Sequence, residues 1–290
     1  MVRKAAFKGQ FYEANEQALE KQIVGCFEGT NGPGALPLSK RSDKQIKAII
    51  SPHAGYQFSG PCAAWAYKEI AEAEYSDLYI IIGPNHAGTG SFTTMEGFET
   101  PYGVARVDQE FVKSLLEKNS DLTINDEAHA NEHSIEVQIP MLQFATKDHM
   151  HELKIVPIIL SDIDYMKFGL DLKETIFDSG KKVTIIVSSD FTHYGRHYHY
   201  VPFTSDVQKN IYEMDQKAIN FIEALNVDGF VGYVDEKMCT ICGTFPIAVL
   251  LKLFGNTKPK VELLHYYTSA DLEEEKTYKN SVSYASILFT

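Results

Sequence analysis

Four short apolar runs constrain the fold of this 290-residue chain more than any other feature of its sequence. The runs cover residues 46–51 (IKAIIS), 78–83 (LYIIIG), 154–161 (KIVPIILS) and 182–189 (KVTIIVSS). Their length and their content of Ile and Val are typical of strands that are buried on both faces. Helical patterns separate the runs, and this alternation predicts an α/β fold in which helices flank a mostly parallel central sheet. Because no long linker divides the chain, we predict a single domain over residues 1–290.

Capping residues mark where several of the helices should begin. Asn15 and Asp108 each precede an amphipathic pattern, and both residue types accept hydrogen bonds from the free N–H groups of a first helical turn. Ser205, with Gln208 three residues later, predicts a capping box at the start of another helix. Pro246 suits the first position of a last helix.

The chain carries 27 Lys and Arg residues against 39 Asp and Glu residues, a formal net charge of −12. An acidic protein repels phosphate groups, so we expect neither nucleic acid nor a membrane surface as a partner. The N-terminus lacks the apolar core of a signal peptide, and no apolar run is long enough to span a bilayer. Four cysteines are too few for a disulfide scaffold, and we therefore expect a protein of the reducing cytoplasm.

Polar side chains follow three of the predicted strands. His53 comes shortly after the first run, His86 after the second, and Asp190 and His193 after the fourth. In an open α/β sheet, ligands bind outside the carboxyl ends of the strands. Because parallel strands end at the same edge of a sheet, we predict that these four side chains lie in one shared site.

A second polar cluster is formed by residues 132–136, which read EHSIE. On a helix, His133 and Glu136 would share one face. Together with Glu132 they suit metal binding, proton transfer or hydrogen bonding to a substrate. Spacing alone leaves open the alternative of a solvated helix start, where the helix dipole stabilises acidic residues.

Cys239 and Cys242 form a C-x-x-C pair. A zinc knuckle requires a second such pair, which the sequence lacks, and a thioredoxin-like pair would open a helix directly after an early strand. Two loop cysteines without a shared role are the alternative. Cys242 lies just before the helix predicted near Pro246, and a helix N-terminus stabilises a thiolate and therefore a metal ligand.

Motifs spread over nearly the whole chain resemble those of the Memo (mediator of cell motility) family. In chain order they are residues 9–12 (GQFY), 52–56 (PHAGY), 83–86 (GPNH), 132–136 (EHSIE), 188–193 (SSDFTH), 240–243 (TICG) and 281–284 (SVSY). PHAGY, EHSIE and the SSDF-x-H pattern in this order are specific, so the chain is identified as a member of the family. The resemblance implies a fold similar to that of class III extradiol dioxygenases, which are non-haem Fe(II) enzymes.

The resemblance also implies a set of metal ligands. His53 and His86 match the two histidines that bind iron in the dioxygenases, and Cys242 stands where those enzymes have a glutamate, so we expect the three ligand atoms to meet at one point. That departure weakens the expectation of ring cleavage. Because a thiolate is softer than a carboxylate, Fe(II) is the expected metal and copper or zinc are alternatives. His193 matches the acid/base histidine of the dioxygenases, and we expect Asp190 to set its orientation and tautomer.

Five further residues are expected to line the substrate side of this site: Glu132, His133, Glu136, Tyr56 and Asn85. Cys239 is not part of the family motif and is given no role. The expected partner is a small-molecule substrate or a peptide, and neither its identity nor the oligomeric state follows from the sequence.

Three functions are compatible with these residues. The first is a metal-dependent oxidoreductase similar to the dioxygenases, in which His193 carries protons to and from a small molecule. The second is a non-catalytic binding or adaptor module that uses the same pocket. The third is a thiol enzyme with Cys242 as nucleophile, His193 as base and Asp190 as the group that orients the base.

Overall fold

The structure is a computed structural model that describes residues 1–255, 257–275 and 277–290. Its helices are α1 (Glu16–Glu28), α2 (Tyr56–Glu72), α3 (Gln109–Lys118), α4 (Asp126–Ala130), α5 (Gln138–Ala145), α6 (Tyr165–Ser179), α7 (Val207–Glu223), α8 (Val227–Lys237) and α9 (Thr244–Phe254). Its strands are β1 (Val2–Arg3), β2 (Ala48–Ser51), β3 (Leu78–Pro84), β4 (Ser91–Thr93), β5 (Gly97–Thr100), β6 (Gly103–Val107), β7 (Leu122–Ile124), β8 (Lys154–Leu160), β9 (Val183–Ser188), β10 (His193–Gly195), β11 (Val261–Thr268) and β12 (Asn280–Phe289).

Five neighbouring strands form the parallel centre of the sheet, in the order β6, β8, β3, β9 and β2. Most of the remaining pairs are antiparallel: β12 pairs with β2, β10 and β11 pair with β12, and β5 pairs with β6, whereas β1 pairs with β5 in parallel. The four apolar runs of the sequence correspond to β2, β3, β8 and β9, all of which lie in the parallel centre. The predicted α/β fold with a mostly parallel sheet is confirmed.

Each face of the central sheet buries its own hydrophobic core, since alternate side chains of a strand point to opposite faces. Ile49 of β2 and Ile81 of β3 pack against α1, α2 and α5 on one face. Ile50 and Ile80 pack against α3, α6 and α9 on the other. Burial on both faces explains why the central strands are almost continuously apolar, and it fixes the strand ends on which the polar residues lie.

Two predicted helix starts are confirmed by their caps. Asn15 accepts a hydrogen bond from the N–H of Ala18 at 2.9 Å, and Asp108 accepts one from the N–H of Phe111 at 3.1 Å. Both bonds satisfy donors that have no partner within the helix. No helix among the described residues is both long and apolar enough to cross a bilayer.

The capping box predicted at Ser205 is wrong. α7 begins at Val207 without a side-chain cap, and Gln208 donates its amide to Asp271 instead of bonding back to the start of the helix. Pro246 occupies the third position of α9, not the first. Pro is tolerated there because the N–H groups of a first turn have no helical partner.

Candidate metal centre

The carboxyl ends of three adjacent strands carry the residues that the sequence singled out. β9 lies between β3 and β2, and the three strands run parallel. His53 follows the end of β2, His86 follows β3, and Asp190 and His193 follow β9. Parallel pairing therefore places these residues at one edge of the sheet, where the sequence predicted a shared site.

His133 joins His53 and His86 in a cluster of three imidazoles. The ring centroid of His53 lies 5.4 Å from those of both other histidines, and the rings of His86 and His133 are stacked with centroids 4.8 Å apart. One ligand atom from each ring lies within 4.8 Å of the other two, so the group could hold a metal ion. His53 is buried, whereas the side chain of His86 is 37% exposed, and the cluster therefore opens to solvent beside His86.

Buried hydrogen bonds fix the tautomer of His53. Its Nδ1 lies 2.8 Å from the Oγ of Ser188, and the single proton of that hydroxyl is donated to the carbonyl of Ser134 at 2.7 Å. Ser188 therefore accepts hydrogen bonds from His53 and from the amide of Gln138. His53 carries its proton on Nδ1, which leaves the Nε2 lone pair available to a metal ion. Burial lowers the pKa of His53 well below its ordinary value, so the ring is neutral at pH 7.

One carboxylate, that of Glu132, supports both His86 and His133. It accepts hydrogen bonds from Nδ1 of His86 at 3.0 Å, from the N–H of the same residue and from the N–H of Ser134 at 2.8 Å. The same carboxylate lies 3.3 Å from Nδ1 of His133. Burial acts to raise the pKa of Glu132, but the hydrogen bond and charge of His86 outweigh it and lower that pKa to about 2. The carboxylate thus holds the Nδ1 proton of His86, and this ring also offers Nε2 to the centre.

Cys242 contacts the imidazole cluster through His53, but His133 completes the group of ligand atoms that lie close together, where the sequence predicted Cys242. Its Sγ lies 3.3 Å from Nε2 of His53 and accepts a hydrogen bond from the N–H of Asp190 at 3.2 Å. Burial raises the pKa of this thiol well above its ordinary value. The turn that carries Cys242 approaches the end of β9 so closely that a Cβ on Gly243 would lie 2.3 Å from the Cβ of Ser189. Only glycine permits this approach, which brings the sulfur to the site.

The hydrogen bonds of Asp190 and His193 correct the prediction that the carboxylate sets the tautomer of the imidazole. Asp190 instead accepts a hydrogen bond from the N–H of His53 at 2.8 Å, and burial raises its pKa. His193 donates from Nδ1 to the carbonyl of Thr240 at 2.8 Å, and its N–H donates to the hydroxyl of the same residue. The reason is that the loop after β9 turns this ring toward the C-x-x-C turn. Among the described residues, Nε2 of His193 has no hydrogen-bond partner.

Three residues predicted to contact a substrate are engaged elsewhere. Glu136 binds the N-terminal segment, while Tyr56 donates its hydroxyl to a backbone carbonyl at 2.7 Å and Asn85 donates its amide to another at 3.0 Å. Residues 132 and 133 lie outside regular structure and residues 134–136 form a turn, so the helical face that His133 and Glu136 would share is not formed. The alternative of a solvated helix start is also wrong, since Glu132 and Glu136 are buried.

The sequence interpretation missed the residues that orient the histidines: Ser188, Gln138 and Thr240. Each lies inside or beside a motif that was recognised for another residue. Their position next to a candidate ligand was the available signal, because metal-binding histidines commonly donate their second ring N–H to an acceptor nearby.

Comparison with known proteins agrees with these motifs. A sequence profile described as Memo-like protein matches residues 3–288. MEMO1 family proteins of Methanopyrus kandleri and Thermococcus kodakarensis are 37% and 36% identical to the chain, over 100% of it and 99% of each relative. A solved structure, the uncharacterized protein JW3007 of Escherichia coli K12, aligns with a TM-score of 0.52 and 15% identity over 85% of this chain and 100% of its own. That likeness supports the fold alone.

Proposed function

The chain belongs to the Memo family, and from that premise we propose a metal-dependent oxidoreductase whose ion is held by His53, His86 and Cys242. The observation that carries the proposal is the convergence of imidazoles whose Nδ1 protons are held by acceptors. Such rings offer only Nε2 to the centre. Imidazoles beside a thiol are donors that suit Fe(II), copper and zinc, and we propose Fe(II).

His133 and Cys242 compete for the third ligand position. A nitrogen and a sulfur bound to one tetrahedral ion lie roughly 3.5 Å apart, given bond lengths of about 2.1 and 2.3 Å. The distance of 3.3 Å between Cys242 Sγ and His53 Nε2 is close to that value. We propose Cys242 for the third position on that distance together with the family resemblance, although His133 completes the group of close ligand atoms. His133 then lies beside the ion, where it can contact a bound molecule.

Proton transfer falls to His193 in this proposal. A bound Fe(II) or copper ion would supply redox chemistry and an open position for a small molecule. The Nδ1–H group of His193 donates a hydrogen bond to the carbonyl of Thr240. The opposite ring nitrogen, Nε2, can therefore take a proton from a substrate and later return it. Asp190 orients the backbone that carries His53.

The thiol-enzyme alternative is less well supported. Its base would be His193, yet Cys242 is hydrogen-bonded to His53 and Asp190, whereas His193 is hydrogen-bonded to Thr240. Burial also raises the pKa of Cys242, whereas a nucleophilic thiol needs a lowered one.

We propose a small molecule as the partner and the reducing cytoplasm as the location, in keeping with the four free cysteines.

Metal analysis of protein purified without oxygen tests the proposal. We expect about one Fe or Cu ion per chain, and Cys242→Ser should lose tight binding while keeping the fold. Cys239→Ser is the matched control, because Cys239 belongs to the same turn but has no place in the ligand set. Unchanged stoichiometry and affinity in Cys242→Ser would contradict the assignment.

Calorimetry in buffers of different ionisation enthalpy distinguishes the two candidates for the third position. Since the raised pKa keeps Cys242 protonated at pH 7, its ligation should release about one proton per ion. Release of no proton by the unaltered protein would point to His133 as the third ligand.

His193→Ala tests the proposed proton carrier. The variant should keep its metal but lose about 10²–10⁴-fold in any turnover that is found, because general acid–base catalysis contributes on that order. Loss of the metal would instead identify His193 as a ligand. The exposed His151 provides the control substitution, His151→Ala.

A further inference from the structure

Residues 3–12 form an N-terminal strap that lies against the metal centre. Its first residue belongs to β1, which pairs with β5. Near its other end, the carbonyl of Phe11 accepts a hydrogen bond from the N–H of Tyr56 at 2.7 Å. Tyr56 opens α2 only three residues after His53, so the strap is attached directly beside a proposed ligand.

Glu136 fastens the strap. Its buried carboxylate accepts hydrogen bonds from the guanidinium of Arg3, from the N–H groups of Ala6 and Phe7 at 3.0 and 2.8 Å, and from the hydroxyl of Tyr12 at 2.7 Å. Because a buried carboxylate is stable only when it is paired, these donors hold the strap in one position. Glu136, predicted to contact a substrate, thus acts as an anchor.

Two aromatic rings of the strap lie on His133. The ring centroid of Phe11 is 4.7 Å from that of His133, and the centroid of Phe7 is 5.7 Å away in an edge-on arrangement. Both phenylalanines are half-buried. Since His133 stacks on His86 in turn, a row of rings leads from the strap to the proposed ion.

The cationic side chains of the strap are already paired with carboxylates, beginning with Arg3, which pairs with Glu136. The two lysines of the strap, Lys4 and Lys8, pair with Glu99. A further half-buried ring, Tyr198, contacts His193 edge-on with centroids 5.2 Å apart.

We infer that Phe7 and Phe11 determine substrate specificity, and that the substrate carries a planar, uncharged ring which stacks on them while another group reaches the ion. The inference rests on the proposed function, since it requires the metal at the centre. Aromatic pairs attract one another beyond the effect of buried area alone, whereas an anionic group beside the strap would lose hydration next to cations that are already paired.

Binding of small metal ligands to the full chain loaded with Co(II) tests the inference without any turnover. The visible absorption of Co(II) reports its coordination, and imidazole and 4-phenylimidazole are probes that differ only by a planar ring. We expect 4-phenylimidazole to bind about 10-fold more tightly than imidazole to the unaltered protein. A carboxylate on the phenyl ring should remove most of that gain, because the cations of the strap are already paired with Glu136 and Glu99.

Phe11→Leu and Phe7→Leu remove the aromatic faces and keep apolar side chains. We expect each to weaken 4-phenylimidazole about 3-fold to 10-fold while imidazole stays within about 2-fold, which also shows that the metal centre is intact. Phe177→Leu is the control, because Phe177 is 84% exposed on α6, which packs on the other face of the sheet.

The outcomes separate the two proposals. Failure of the chain to take up Co(II) overturns the proposed function and this inference together. Uptake of Co(II) with equal affinity for the two probes overturns the inference alone, as does a loss in the Phe11 and Phe7 variants no larger than that in Phe177→Leu. Tighter binding of the carboxylated probe contradicts the uncharged class of substrate.

Discussion

A carboxylate supports two of the three histidines and a hydroxyl supports the third. His86 is hydrogen-bonded to the carboxylate and His133 lies beside it, whereas His53 is hydrogen-bonded to the hydroxyl. On the first side, the single buried carboxylate of Glu132 lies behind both rings. On the second side, Ser188 accepts from His53 and passes its own proton to a backbone carbonyl. Both arrangements direct Nε2 toward the centre. The first also places a negative charge behind His86 and His133, whereas the second places none behind His53.

The difference shows that fixing the orientation of an imidazole and placing a charge behind it are separate effects. A neutral acceptor is sufficient to fix a tautomer, since it needs only a lone pair that faces the ring. A carboxylate also makes the imidazole more basic and strengthens its bond to a cation, at the cost of burying a charge that must be fully paired. We therefore expect the carboxylate side to contribute more to metal affinity and to be more sensitive to substitution.

The largest effect is expected from Glu132→Gln. The variant keeps the size of the side chain but points an N–H₂ group at donors, so it disrupts the support of His86 and removes the charge behind both rings. Metal affinity, measured by competition with a chelator, should fall about 100-fold. An affinity within about 2-fold of the unaltered protein would show that the charge is irrelevant.

Acid should destabilise the metal-free protein through His129, which lies three residues before Glu132. This residue is 1% exposed, and burial lowers the pKa of its imidazole to about 4. Between pH 6.5 and 4 the unfolded chain binds a proton that the folded chain excludes. The free energy of unfolding should therefore fall by about 2 kcal/mol as the pH is lowered over this range.

Urea unfolding of His129→Gln at several pH values measures this contribution, because the variant lacks the group that titrates differently in the two states. Its free energy of unfolding should vary less between pH 6.5 and 4 than that of the unaltered protein. Parallel pH profiles for the two proteins would assign the acid sensitivity to other groups.

A smaller effect is expected from Ser188→Ala on the hydroxyl side. The substitution leaves the Nδ1 proton of His53 and one N–H of Gln138 without their acceptor, but it changes no charge. Metal affinity should fall about 10-fold, and the free energy of unfolding by about 1–3 kcal/mol. The exposed Ser205 supplies the control variant Ser205→Ala. A loss of affinity larger than that of Glu132→Gln would reverse the comparison.

The central sheet and the placement of His53, His86, Asp190 and His193 follow from local sequence patterns. Runs of Ile and Val indicate strands that are buried on both faces, and parallel strands necessarily end at one edge. The motifs also sufficed to identify the Memo family, which the sequence comparisons confirm. These properties depend on short stretches of chain, and short stretches are what periodicity and motifs report.

The partners of each polar side chain were decided only by the tertiary structure. Glu132 and Glu136 belong to one motif, yet one supports two histidines and the other anchors a strap more than 120 positions earlier in the chain. His193 meets Thr240 and not the nearby Asp190. Hydrogen bonds require particular distances and directions between atoms, and these are set by how distant segments pack, so residue spacing within a motif cannot specify them.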